Sequence, residues 1–86
     1  MKIELRLFGA FRDYDPSALV HLEVADDARV ADVRAALDAH GRAQWAGFQP
    51  ALLQRSALAS DEAVLRDHEP VPHDGRMAVL PPVSGG

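Results

Sequence analysis

Residues 2–8, KIELRLF, alternate between apolar and polar: Ile3, Leu5 and Leu7 share one side, Lys2, Glu4 and Arg6 the other. This period of two predicts a strand with one buried face. The stretch GAFRDYDPSA follows, rich in the turn formers Gly9, Asp13, Asp15, Pro16 and Ser17. A second alternation runs through Val20, Leu22 and Val24, with His21 and Glu23 between them. Two strands joined in this way read as an antiparallel hairpin. The period then changes. Val30, Val33 and Leu37 recur at helical spacing, with Asp32, Arg34 and Asp38 opposite, and predict a helix over residues 28–40. Asp26 and Asp27 are placed to cap its start, and Gly41 stands where a C-terminal cap glycine belongs.

Beyond the helix the pattern weakens. Trp45 and Phe48 are expected to close the core over the helix end, and Pro50 to interrupt the chain. A third strand is expected within Leu52–Ala59, a turn at Ser60-Asp61-Glu62 and a short strand at Ala63-Val64-Leu65. RDHEPVPHDG reads as loop with a tight turn at Asp74-Gly75. MAVL, Met77–Leu80, is apolar on both faces, which suits the centre of a sheet beside a parallel N-terminal strand. The order strand, strand, helix, strand, short strand, strand predicts an α+β fold. It is the β-grasp, or ubiquitin-like, arrangement: a mixed sheet of four to five strands with one main helix across one face. The other sheet face is then covered either by the middle segment or by a partner.

Length sets the domain count. A chain of 86 residues makes one domain, residues 1–80, with residues 81–86 as a tail. A domain this small has little volume for an internal active site, which favours a carrier or binding role over a self-contained enzyme. The net charge of −4, with Lys2 the single lysine and no basic run, argues against nucleic acid. The chain has no cysteine, so disulfides, thiolate metal sites and cysteine nucleophiles are excluded. No apolar stretch approaches membrane-spanning length, and Met1 leads directly into the alternating pattern. No membrane partner and a cytoplasmic location are expected.

The chain ends LPPVSGG, Leu80 to Gly86. Pro81 and Pro82 lack amide donors and fix φ near −65°, so they end sheet pairing and send the chain outward. Val83 offers one apolar anchor, while Ser84, Gly85 and Gly86 add almost no bulk. Extended at roughly 3.1–3.4 Å per residue, the tail would reach on the order of 20 Å into a narrow tunnel of a partner. At its tip, a carboxylate on Gly86 is a poor electrophile until it is converted to an anhydride with AMP. A sulfur nucleophile would then leave it as a thiocarboxylate. Without cysteine, sulfur carried by this chain would have to ride on that carboxyl group. Against this stands a plain reading, a mobile end or a cloning remnant. Two terminal glycines occur by chance in about one chain in two hundred. The proline pair, the apolar strand before it and the upstream element order give the motif its weight.

LPPVSGG resembles the C-terminus of the small subunit of molybdopterin synthase, a sulfur carrier with the ubiquitin-like fold. LFGAFRD, Leu7 to Asp13, is similar to that family's stretch after the first strand. The likeness covers the chain in length and element order, is specific in the tail and faint from Arg42 to Asp67. It implies a non-catalytic, sulfur-donating subunit for molybdenum cofactor biosynthesis. In that family a ubiquitin-activating-type enzyme uses ATP to adenylate the terminal glycine, here Gly86, and a sulfur donor protein makes the thiocarboxylate. The tail, here Pro81, Pro82, Val83, Ser84 and Gly85, inserts into the large synthase subunit, where sulfur passes to a cyclic pterin precursor. Two small subunits flank a dimer of large ones. The resemblance also implies partner contacts for Phe8, Arg12 and Leu80, and no cofactor bound by this chain. Two turns depart from the family pattern: Arg76 follows Gly75, and Ser60-Asp61 precedes the short strand.

Three other functions compete: a thiamine-type sulfur carrier, a ubiquitin-like modifier joined to lysines through Gly86, and an interaction module with an inert tail. His21, His40, His68 and His73 lack the close spacing of ligand pairs, so no metal site is expected. No nucleophile and base recur together, so intrinsic catalysis is not expected either.

Overall fold

The computed structural model describes residues 1–82. Strand β1 (Lys2–Leu7) sits next to the middle of a five-stranded sheet of order β2-β1-β5-β3-β4. It pairs antiparallel with β2 (Leu19–Glu23), Leu5 opposite Val20, and parallel with β5 (Arg76–Leu80), Leu5 opposite Met77. On the far side of β5, β3 (Ala57–Ala59) pairs antiparallel with Leu58 opposite Val79, and β4 (Val64–Leu65) closes the edge. The last strand is therefore central and parallel to the first, as its unbroken apolar run requires.

The alternation of β1 decides which face is buried. Ile3, Leu5 and Leu7 join Val20, Leu22, Leu58, Met77 and Val79 in one cluster with Val30, Val33 and Leu37 of helix α1 (Val30–Gln44). These eleven side chains, each worth about 1.5–3 kcal/mol when fully buried, supply most of the driving force available to a domain of this size. This is the ubiquitin-like β-grasp: one mixed sheet with one main helix across its core face.

Helix α1 differs from expectation at both ends. It begins at Val30 and is capped by Arg29, whose backbone N–H donates to the Asp32 carboxylate at 2.8 Å. Asp26 instead pairs with the N-terminal ammonium at 3.1 Å, so neither it nor Asp27 is the helix cap. Gly41 is not a terminal cap; the helix passes through it to Gln44 and ends where the Trp45 N–H donates to the Gly41 carbonyl at 2.9 Å. The continuation is helped by helix-favouring Ala39 and Ala43 and by an i,i+4 pair, Arg42 to Asp38, at 2.7 Å.

The middle segment folds into a short helix, α2 (Pro50–Gln54), in which Pro50 takes the first turn instead of interrupting the chain. Leu53 enters the common core, so α2 packs on the α1 side and, among the described residues, the outer sheet face has no covering layer. Arg34 ties the layers together. Its guanidinium donates to the carbonyls of Leu53 at 2.7 Å and Ser56 at 2.9 Å, and pairs with Asp67 at 3.0 Å. The expected turns at Ser60–Glu62 and Asp74-Gly75 are present. The supposed loop between β1 and β2 contains a 3-10 helix, Gly9–Asp13.

Candidate functional site

The tail leaves the sheet from its centre. β5 ends at Leu80, which is half-buried on the outer face opposite Ala57; Pro81 and Pro82 continue outside any strand. Proline has no N–H for the ladder, and two in succession stop β5 where the core side chains Met77 and Val79 have already been placed. Val83, Ser84, Gly85 and Gly86 lie outside the described residues.

Beside this exit the parallel register brings the end of β1. Leu7 faces Val79, so Phe8 and Gly9 follow alongside Leu80 and Pro81. The chain then turns away through Gly9, at φ +56°, into the 3-10 helix. Phe11 anchors that helix, fully buried in the core, and Phe8, its N-cap residue, is left 41% exposed. Arg12, exposed, follows in the same turn. Phe8, Leu80 and Pro81 are thus gathered at one end of the sheet. Arg12 lies with Phe8, Arg6, Ala18 and Leu19 along a groove of about 360 Å³.

The outer face supplies a second component. Registers align Leu19, Arg6, Ala78, Ala59 and Val64 in one row across all five strands. With Leu80 and Ala57 in the adjacent row, the half of this face nearest the tail carries small and aliphatic side chains around the exposed Arg6. Val64, at its edge, is 63% exposed. Exposed apolar surface continuous with the tail root fits a docking face. Arg6 stands within it, and Arg12 lines the groove beside it.

Behind the 3-10 helix an aromatic cluster holds the turn in place. Tyr14 stacks on Trp45 with centroids 5.1 Å apart, and Phe48 meets both rings edge-on at 5.8 Å. Trp45 and Phe48 close the helix end as expected; Tyr14, read as a loop residue, completes the cluster. In the same loop Asp15 accepts hydrogen bonds from the Ser17 hydroxyl at 2.7 Å and the Ser17 N–H at 3.0 Å, which hold its carboxyl below the usual range.

The histidines are dispersed. His40 meets Trp45 edge-on at 5.2 Å, while His21, His68 and His73 are exposed on three separate segments. Among the described residues no group of three metal-ligating side chains forms, and no helix is long and apolar enough to cross a membrane. The hollow lined by Ser60, Asp61, Glu62, His73 and Asp74 is separate from the tail root.

Comparison with known proteins agrees with this geometry. The ThiS family model matches residues 5–86. Small archaeal modifier protein 3 of Haloferax volcanii is 31% identical over the full length of both chains. The crystal structure of SAMP1 from the same organism superposes with a TM-score of 0.73 at 22% identity over all of both chains. The solution structure of the Haloferax volcanii HVO 2177 protein gives 0.68 at 28% identity, covering all of this chain and 87% of that one. The two solved structures share the fold, and the full-length sequence relative is named a modifier protein. The family match takes in the strands, the helix and the diglycine tail alike, and the chain belongs to the ThiS family.

Proposed function

We propose that this chain is a sulfur carrier in molybdenum cofactor biosynthesis, with the Gly86 carboxylate as its working group and no catalysis of its own. The observation that carries the proposal is the course of β5. The central strand runs straight into Pro81 and Pro82 beside an open, small-residue sheet face. The domain positions an arm and offers a docking surface next to it.

The chemistry takes two steps. A carboxylate oxygen of Gly86 attacks the α-phosphorus of ATP held by a ubiquitin-activating-type enzyme; an acyl–phosphate bond forms and pyrophosphate leaves. Hydrosulfide, or its equivalent from a sulfur donor protein, then adds to the carbonyl carbon. AMP departs with the bonding pair, a proton goes to solvent, and a thiocarboxylate remains. Glycine at positions 85 and 86 lets the partner's walls approach the backbone closely and leaves the carbonyl uncrowded. Phe8, Leu80 and Arg12 dock the domain, and the arm enters the large subunit of molybdopterin synthase, where sulfur passes to the cyclic pterin precursor. The assembly is a heterotetramer of two small and two large subunits in the cytoplasm.

A second reading is favoured by a specific observation: a full-length relative is named a modifier protein. The same adenylate would then be attacked by a lysine amine of another protein, forming an amide and releasing AMP. Reconstitution with the activating enzyme, ATP and sulfide separates the two. Thiol-selective label on the C-terminal peptide and sulfur transfer to the pterin support the carrier. Lysine conjugates without pterin conversion support the modifier. A Gly86 that acquires neither AMP nor sulfur refutes both, and deletion of Gly86 should abolish transfer while leaving the melting temperature unchanged.

A further inference from the structure

The parallel register of β1 and β5 continues one step past the ladder and sets Gly9 beside Pro81. A Cβ on Gly9 would lie 2.6 Å from Cγ and 3.5 Å from Cδ of the Pro81 ring. Unbonded carbon atoms do not approach to 2.6 Å, and a proline ring can retreat only by the small shift of Cγ that a change of pucker allows. A side chain at position 9 therefore repuckers the Pro81 ring and presses it away from its seat. Nothing in the ladder resists that movement, because Pro81 has no N–H to donate. Gly9 itself is fixed. Its φ of +56° starts the 3-10 helix, the Phe11 N–H donates to the Phe8 carbonyl at 3.2 Å, and Phe11 is fully buried. Tyr14, one residue beyond that helix, is held by its stack on Trp45.

We propose that Gly9 is a positioning residue: its bare Cα seats the Pro81 ring and sets the direction in which Pro81 and Pro82 leave the sheet. The inference rests on the arm being the group that reacts. Drawn out inside a partner, the five residues after Pro81 form a lever of about 16 Å. A tilt of about 20° at its root moves the tip by about 5 Å, whereas reacting atoms must come within about 3–3.5 Å of each other in the correct orientation. The seat thus matters for delivery of the carboxylate and not for docking of the domain, which falls to Phe8, Leu80 and Arg12.

The test is ATP–pyrophosphate exchange by the activating enzyme with Gly9→Asn, Pro81→Ala and the double variant. Asparagine tolerates positive φ better than other side chains and still brings a Cβ, so it isolates the clash from backbone strain. Pro81→Ala removes the Cγ that the new Cβ would strike. Gly9→Asn should lower kcat at least tenfold with KM changed less than threefold. The double variant should return to within threefold of Pro81→Ala. A change confined to KM, or losses that simply multiply in the double variant, would overturn the proposal. A wild-type chain that supports no exchange would refute the functional reading instead. In that event, or if Gly9→Asn does not fold, NMR on the wild-type chain decides the seat itself. Cross-peaks between the Gly9 α-protons and the Pro81 γ-protons are expected, and their absence overturns it.

Discussion

Gly41→Ala offers a prediction whose sign the packing decides. Judged locally, replacing a mid-helix glycine by alanine should stabilise α1 by about 0.8–1.0 kcal/mol. Gly41 is buried, however, and a Cβ there would lie 2.7–2.8 Å from three carbons of the Phe48 ring. The ring must shift, and its edge contacts with Tyr14 and Trp45, both at 5.8 Å, shift with it. Overpacking of this kind costs about 1–3 kcal/mol, and each aromatic pair is worth about 0.5–1.5 kcal/mol. Partial loss of both outweighs the gain in helix propensity, leaving a net destabilisation of about 1–2 kcal/mol. For a domain of this size that lowers Tm by roughly 5–15 °C. In a Phe48→Ala background the obstacle is gone, and Gly41→Ala should raise Tm by roughly 4–8 °C. Thermal and urea melts of the four proteins complete the cycle. An increase in Tm on the wild-type background, or the same change on both, would refute the steric reasoning.

Other substitutions probe separate parts of the molecule. Arg34→Met should cost about 2–3 kcal/mol in urea melts, because it orphans the Leu53 and Ser56 carbonyls; the half-exposed Asp67 pair adds little. Phe8→Ala removes an exposed ring and should leave Tm nearly unchanged while raising KM for the activating enzyme at least tenfold; an unchanged KM would remove Phe8 from the docking face. In an NMR titration the Asp15 carboxyl should titrate below its ordinary value, and Ser17→Ala should bring it partway back, since the Ser17 N–H bond remains. A carboxyl depressed by folding stabilises the fold above its unfolded pKa and loses that contribution as pH falls through the folded one. The Ser17→Ala domain should accordingly lose less stability between pH 5 and pH 3 than the wild type.

The strands were legible because their signals are local. Alternation in Lys2–Leu7 and the unbroken run Met77–Leu80 each state how many faces are covered, and together they place β5 beside β1. The helix ends were not legible, since their partners are remote. Asp26 has the composition of a cap, but the N-terminal ammonium, brought close by the β1–β2 hairpin, takes it. Gly41 has the composition of a terminus, but Phe48 needs the space its missing side chain leaves. Pro50 reads as an interruption because proline breaks helix interiors, yet at a first turn it costs nothing. The proposal for the tail comes from its residues alone, since Val83–Gly86 lie outside the described residues. The role of Gly9 could not be read that way, because it depends on a register between residues 72 positions apart in the chain.

The central claim is that sulfur rides on Gly86. Its most direct measurement is on protein purified from the organism that makes it, by intact mass combined with thiol-selective labelling and trypsin digestion. Replacing oxygen by sulfur matches the nominal mass of methionine oxidation at Met1 or Met77, so the label carries the distinction. The account predicts label on the peptide Met77–Gly86, lost when Gly86 is deleted or the activating enzyme is absent. Protein that carries no label there, although the activating enzyme and a sulfide source are active, would contradict it.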